Sequence, residues 1–434
     1  MTFALQTIKT TPVTIVVKDD NGFLPGAVVR IVDTNPTTGT TNVLAQLVTD
    51  NNGKIQGTFT VATTLANVQA VVHLGSKILS HPISLLPMNG QELTQVNRTL
   101  AVTGTFQPQA MLADADGDQI PDDYDAYPND ATRASKICFP ITCSESDLIT
   151  MAYEDLYPLE GDGDLNDYVT WGRSEEDVNA KGKIVKLRTY YQHVAKGTLL
   201  VHTFRLRFGA AATGAGLVRK VTGFTNVVTQ TNATFSANDL KNGISVYNEN
   251  SSQTSQSANN TNSITFKPGK KAALELTFNT PVARAEIGHA PYDPYIVLVN
   301  TAPLNLNFTE TETHLPGKNS SILQILTSGS YPFSIVVPGI WHWQVETLDI
   351  RLSVKTGYLE YAAWVDSGGI SFRDWYTKVT KTSAVYNNLP ATGTLAGFIN
   401  VIKNKYFILG VLLVLAVSLG VGFALKKRLS ATVA

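Results

Sequence analysis

The stretch Asp114-Ala-Asp-Gly-Asp-Gln-Ile-Pro-Asp-Asp-Tyr-Asp-Ala-Tyr-Pro-Asn-Asp130 crowds carboxylates into a short, proline-broken segment. A second acidic run, Tyr153-Glu-Asp-Leu-Tyr-Pro-Leu-Glu-Gly-Asp-Gly-Asp-Leu-Asn-Asp-Tyr168, follows closely. Charged residues make up only 16 % of the chain and the net charge is −1, so these acids are concentrated here rather than spread as a solubilising coat. Closely spaced carboxylates repel one another unless a cation sits among them. The segment therefore reads as a calcium-organised joint between two β-rich domains.

Taking Asp114 as position 1 of a twelve-residue calcium loop puts Asp116, Asp118, Asp122 and Asp125 at positions 3, 5, 9 and 12. Ile120, at position 7, is expected to offer its backbone carbonyl. Such spacing wraps oxygen ligands around a hard cation. Gln119 stands where a helix-flanked calcium loop has glycine, the last ligand is Asp rather than Glu, and Pro121 and Pro128 keep the flanks extended. In these features the loop resembles a thrombospondin type 3 repeat, in which calcium holds an irregular chain; the alternative is a solvated acidic linker. In the second run, period-two alternation is expected to bring Asp162, Asp164 and Asn166 to one side of an extended chain, with Glu154, Asp155 and Asp167 closing the shell. A carboxylate pair can also hydrolyse glycosides, but no framework of sugar-stacking aromatics accompanies this one, and no enzyme is expected.

Outward from this centre the chain reads as mainly β. Residues 1–105 contain Val13–Val17, Ala27–Val32, Val43–Thr49 and Lys54–Val61 as candidate strands, with turns at Asp19–Gly22 and Asp50–Gly53. Asn-Gly steps between β-branched runs are strong hairpin signals. The pattern resembles carboxypeptidase regulatory-like and other Ig-like β-sandwich modules, which implies a spacer or stalk. Residues 106–135 form the acidic linker and 136–388 a larger β-sandwich-like domain. Within it, the Asn-, Ser- and Thr-rich stretch 226–265 is expected to be an exposed loop or short edge strands. Cys138 and Cys143, the chain's two cysteines, suit a small disulfide loop in an oxidising compartment. Nothing resembles a nucleic-acid footprint.

After a linker at 389–405, Tyr406-Phe-Ile-Leu-Gly-Val-Leu-Leu-Val-Leu-Ala-Val-Ser-Leu-Gly-Val-Gly-Phe-Ala-Leu425 is uncharged, and a basic tail, 426–434, follows. A helix of that length would be ~30 Å long, the thickness of a bilayer core. A single transmembrane helix in contact with lipid is expected there, with the bulk of the chain outside the cytoplasm. Leu389-Pro-Ala-Thr-Gly393 looks like a sortase signal but equally suits a chance match in a Thr- and Gly-rich linker. The first twenty residues lack a basic segment leading into an apolar one, so no secretory signal is expected.

DADGDQIPDDYDAYPND, YEDLYPLEGDGDLNDYV, PYDPYIVLVN, ETHLPG and WVDSGGISFRDWY occur in this order between Asp114 and Tyr376. Together they make the chain resemble the LruC-type envelope proteins, which carry a thrombospondin type 3-like calcium loop before a large C-terminal domain. The resemblance implies calcium binding, a β-sandwich-like fold and surface display, and no known catalysis. Two functions fit. One is a calcium-stabilised, membrane-anchored surface protein presenting a β-rich head for adhesion or attachment. The other is a membrane-anchored spike of a membrane-containing virion, used in host attachment. The expected partner is a surface receptor, a glycan or a neighbouring envelope or capsid protein, and an oligomer is compatible with either.

Overall fold

Alternation of buried and more exposed positions marks the first N-terminal strand. In β1 (Ile8–Asp19) the side chains of Val13, Ile15 and Val17 point inward while their neighbours face out, as a half-buried strand requires. The structure, a computed structural model, describes residues 5–34, 39–74, 77–86, 93–106, 112–209, 213–223, 226–247, 259–300, 310–318 and 331–390. After β1 come β2 (Gly22–Phe23), β3 (Val28–Thr34), β4 (Thr41–Val48), β5 (Lys54–Ala62), β6 (Asn67–Leu74), β7 (Lys77–Ser84) and β8 (Val96–Ala101). They form two sheets, β2-β1-β5 with β8 parallel to β1, and β4-β3-β6-β7. Ile15, Val29, Ile31, Phe59, Val61, Ala70 and Val72 share the core between them. The turn into β5 needs its glycine. Gly53 has φ +64°, and a Cβ there would lie 2.4 Å from the Val17 carbonyl oxygen. Asp50 Oδ1 fixes the same turn by accepting the amides of Asn52 and Lys54.

The larger part begins with β9 (Ser135–Phe139), β10 (Ile149–Tyr153), β11 (Tyr168–Val178), β12 (Ile184–Ala195), β13 (Val201–Arg207), β14 (Ala215–Thr222) and β15 (Val228–Phe235). After helix α1 (Ala237–Asn242) come β16 (Ile244–Ser245), β17 (Lys271–Val282), α2 (Arg284–Ile287), β18 (Asp293–Asn300), β19 (Glu312–His314) and β20 (Ser334–Pro338). One sheet runs β15-β14-β17-β12-β11-β10-β20 with β9 beside β11; the other runs β16-β13-β18-β19. Their facing side chains, including Tyr153, Tyr168, Leu187, Phe204, Leu206, Leu274 and Ile296, make a second core. The chain from Gly339 to Asn388 is mostly irregular, with α3 (Glu360–Asp366), and packs around aromatic rings. Trp375 is fully buried, with ring centroids of Tyr361, Tyr358, Trp364 and Trp341 4.8 to 6.0 Å away.

The N-terminal module is not a free stalk. Ile8 belongs to the core of the larger part, the Thr7 hydroxyl donates to the Val336 carbonyl, and Arg373 Nη1 donates to the Thr63 carbonyl at 3.3 Å. The stretch 226–265 meets its expected exposure in part, and its residues 248–258 lie outside the described residues. β15 is an exposed edge strand, but Asn259 and Asn260 are buried. Asn259 Nδ2 donates to the Val194 and Lys267 carbonyls at 2.6 and 2.7 Å, its Oδ1 accepts the Lys267 amide, and its carbonyl accepts Trp343 Nε1 at 2.6 Å. A side chain with both donor and acceptor capacity is tolerated inside because every group finds a partner.

By contacts the chain divides into one unit of residues 1–143 and 147–388 and another of residues 144–146 and 389–434. No helix among the described residues is long and apolar enough to cross a membrane. The expected span at 406–425 and the tail at 426–434 lie outside the described residues, as does most of the 389–405 linker.

Candidate calcium sites

The first acidic loop folds on its own carboxylates. Asp114 Oδ1 and Oδ2 accept the amides of Gly117 and Gln119, Asp116 Oδ1 accepts that of Asp118, and Asp118 Oδ1 that of Ile120 at 2.7 Å. Asp122 Oδ1 accepts the Ala115 amide and Asp125 Oδ1 that of Tyr127. Asp114 spends both oxygens on the local turn, whereas Asp116, Asp118 and Asp125 each spend one and keep the other buried. The carboxylates of Asp114, Asp116 and Asp118 approach within 4.8 Å of one another. Among the described residues, Asp116 Oδ2, Asp118 Oδ2 and Asp125 Oδ2 are buried without a hydrogen-bond partner. Burial, then the charges of Asp125, Asp116 and Asp114, pushes the Asp118 carboxyl up to about 6. Asp125 is raised by burial and by Asp116, Asp114 and Asp122. These residues therefore fit the donor set of a calcium ion: buried oxygens, mutually repelling, with no other partner.

The loop sits between the two modules. The Ile120 side chain is buried with Val28 and Ala134. The Tyr124 ring lies 4.0 Å from that of His73, and its carbonyl accepts Arg30 Nη2 at 2.6 Å and Gln46 Nε2 at 3.1 Å. On the other side the Tyr127 hydroxyl donates to Asp177 Oδ1 at 2.6 Å, and the Ala134 amide donates to the Val178 carbonyl. Asp177 is fully buried, and Arg188 and Arg133 pair with it. Burial would raise its carboxyl, but hydrogen bonds from Arg188, Tyr127 and Arg133 outweigh that and hold it below the usual range. Cys138 and Cys143 are joined as a disulfide, with Cα atoms 5.3 Å apart.

The second run reaches its geometry by a different route from the expected extended strand. Gly161, Gly163 and Leu165 all have positive φ, so the segment coils. The coil brings Glu154, Asp162 and Asp164 within 4.8 Å of one another. Gly163 has φ +67°, and a Cβ there would lie 2.6 Å from Arg351 Nε, so a side chain would be strained and would push Arg351 aside. Leu165 donates its amide to Glu154 Oε1, and Thr347 donates its amide to Asp164 Oδ2 at 2.9 Å. Asp155 and Asp167 form the other half of the group: the Asp155 amide donates to Asp167 Oδ2, and Asp155 Oδ2 lies 2.8 Å from His202 Nε2. Burial, followed by the Asp162 charge, pushes Glu154 up to about 8. Asp164 is raised well by burial and Glu154, and Asp167 by burial and Asp155. Asn166 is fully buried, and its Oδ1 has no partner among the described residues. Beside this group opens a cleft of about 410 Å³.

Sequence reasoning missed two contributors, Glu346 and the fully buried His202. Glu346 is raised by burial and by Asp162. Both come from distant segments, and no local spacing marks them.

The arrangement is that of a mainly β protein with two acidic groups, one at the junction of its modules and one inside the larger. Residues 182–376 match the family described as a domain of unknown function, DUF4842. No curated protein matches the chain. A solved structure, the full-length major pilin SpaD from Corynebacterium diphtheriae, is similar at 11 % identity over 72 % of this chain and 69 % of that one. Its TM-score of 0.14 is too low to support structural argument. Both acidic groups lie N-terminal to the matched residues, which contribute His202, Glu346 and the strands behind them.

Proposed function

We propose that the protein is a non-enzymatic, calcium-stabilised display protein, anchored in a membrane through residues 406–425, that presents its β-rich head for adhesion or structural attachment. The observation that carries this reading is the set of buried, unpartnered oxygens Asp116 Oδ2, Asp118 Oδ2 and Asp125 Oδ2 at the junction of the modules. The Asp114–Asp125 carboxylates each hold a turn of their own loop, an arrangement suited to gripping an ion rather than relaying a proton. Calcium there would fix the loop between Arg30, Gln46 and His73 on one side and Asp177 on the other. The resemblance to LruC-type envelope proteins supports surface display, and the uncharged run before a basic tail supports the anchor. The test is fractionation of cells expressing the full chain, with protease added to intact cells. Recovery in the membrane fraction with a protease-accessible head is expected, and a protein free of membranes or wholly protected would overturn the reading.

A further inference from the structure

We propose that the second acidic group holds a calcium ion whose coordination is completed from outside, by vicinal hydroxyls of a neutral glycan seated in the adjoining cleft. The inference rests on the calcium reading above and names the ligand class of its second site.

The protein's own donors leave the shell short. Glu154, Asp162 and Asp164 converge within 4.8 Å, and Asn166 Oδ1, two residues further along, is buried and orphaned, so at most four side chains are on offer. All four oxygens of Glu154 and Asp164 already accept a backbone amide, from Leu165 and Gly163 at Glu154 and from Asn166 and Thr347 at Asp164. Calcium takes six to eight oxygens, so about two or more positions remain for another donor.

The open side faces the cleft. Glu154 and Asp164 are buried, whereas Asp162 is exposed and lines the cleft with Asp155, Asp167, Gly197, Thr198 and Leu199. Asn166 Oδ1 sits directly behind the Gly197 wall, where a Cβ would lie 1.5 Å from it. Glycine at 197 thus leaves the room that this oxygen occupies at the edge of the cleft.

Charge selects the ligand. Six carboxylates, Glu154, Asp155, Asp162, Asp164, Asp167 and Glu346, outnumber the two charges of calcium and those of Lys196, which interacts with Asp155 and Asp167, and Arg351, which interacts with Asp162 and Glu154. An anionic ligand would meet residual negative potential, whereas a neutral polyol can chelate the ion and donate hydroxyl hydrogens to Asp155 and Asp167. Leu199, 49 % exposed, gives the rim an apolar surface for a sugar ring.

The test uses the full chain in detergent with Asp116→Asn and Asp118→Asn, which disable the first loop, and europium in place of calcium. One ion should bind with about two or more inner-sphere waters, read from luminescence lifetimes in H₂O and D₂O. The probes are the methyl glycosides of mannose, glucose, galactose and fucose, and at least one should displace water and lengthen the lifetime. Adding Asp162→Asn, at an exposed position, should abolish that response without lowering the melt in chelator. Gly197→Ala, which drives a methyl group against Asn166 Oδ1, should also abolish the response, with a lower melt from the clash, and serves as the second variant. A fully dehydrated ion would mark a closed structural site and overturn the proposal, as would waters that no glycoside moves. Binding of lysine methyl ester in chelator would overturn it in favour of a cation-binding cleft. If europium binds the wild type but not the first-loop variant, this inference fails and the first-loop reading stands. If it binds neither, both fail.

Discussion

Asp118→Asn should change the sign of its effect on stability with calcium. In chelator the wild-type side chain holds a charge among Asp125, Asp116 and Asp114, with one oxygen buried and unpartnered. Its carboxyl stands at about 6 against an ordinary 3.8. At ~1.4 kcal/mol per pH unit, this sets a ceiling of about 3 kcal/mol on the strain that ionisation imposes at neutral pH. Because the side chain is only partly buried, solvent screening reduces that to about 1 kcal/mol. Asparagine keeps an Oδ1 for the Ile120 amide and removes the charge, so the variant should be about 1 kcal/mol more stable than wild type in chelator. In calcium the order reverses. An ion at ~100 times its Kd adds about 2.7 kcal/mol, and a tenfold loss of affinity removes about 1.4 kcal/mol of it. The pH dependence follows from the raised carboxyl. The folded state takes up a proton that the unfolded state does not, so metal-free wild type gains stability as pH falls through about 6 towards 3.8, and the advantage of the variant shrinks. Urea denaturation of both proteins, with calcium and with chelator, measures all of this. A variant less stable than wild type in chelator, or shifted equally in both conditions, would refute the reasoning.

Asp177→Ala would remove one carboxylate from Arg188, which keeps Glu275, and from Arg133, which keeps Asp130, and would leave the Tyr127 hydroxyl without its acceptor, so it should cost about 1–3 kcal/mol in thermal or chemical denaturation. Because its partners hold the Asp177 carboxyl low, its contribution is present above the ordinary carboxylate value and is lost as pH falls below it. Asp177→Asn should therefore show a flatter stability profile in acid, measured by melts across that range. Trp375→Ala should cost about 3–5 kcal/mol, because the ring is enclosed by Trp341, Tyr358, Tyr361 and Trp364; denaturant midpoints test it. Asn259→Ala should cost at least about 1–3 kcal/mol, since the Val194 and Lys267 carbonyls lose their donor, and exchange of the Lys267 amide, which loses its acceptor, should quicken.

What could be read from the sequence was what is local. Val13, Ile15 and Val17 alternate visibly, and the Asp50–Gly53 turn declares itself through a glycine with positive φ and an aspartate that accepts its own loop's amides. The carboxylates of Asp114, Asp116 and Asp118 also converge from local spacing alone. The strand β11 was less legible. Arg173-Ser-Glu-Glu-Asp177 looks like a solvated surface, yet it is buried because Arg188 of β12 pairs with Asp177 and Arg284 of α2 with Glu176. Asn259 was hidden for the same reason: its partners Val194, Lys267, Trp343 and Tyr386 are scattered along the chain. At the second acidic group the residues were legible but the backbone was not, since left-handed turns at Gly161, Gly163 and Leu165 replaced the expected pleat. Long-range pairing supplies what composition and period cannot.

The central claim is that calcium fixes the junction around Asp114–Asp125, and limited proteolysis of the full chain in calcium and in chelator tests it most directly. The account predicts that chelation opens a cleavage site within or beside this loop and lowers the melting temperature, and that calcium restores both. Identical cleavage patterns and coincident melts in the two conditions would contradict it.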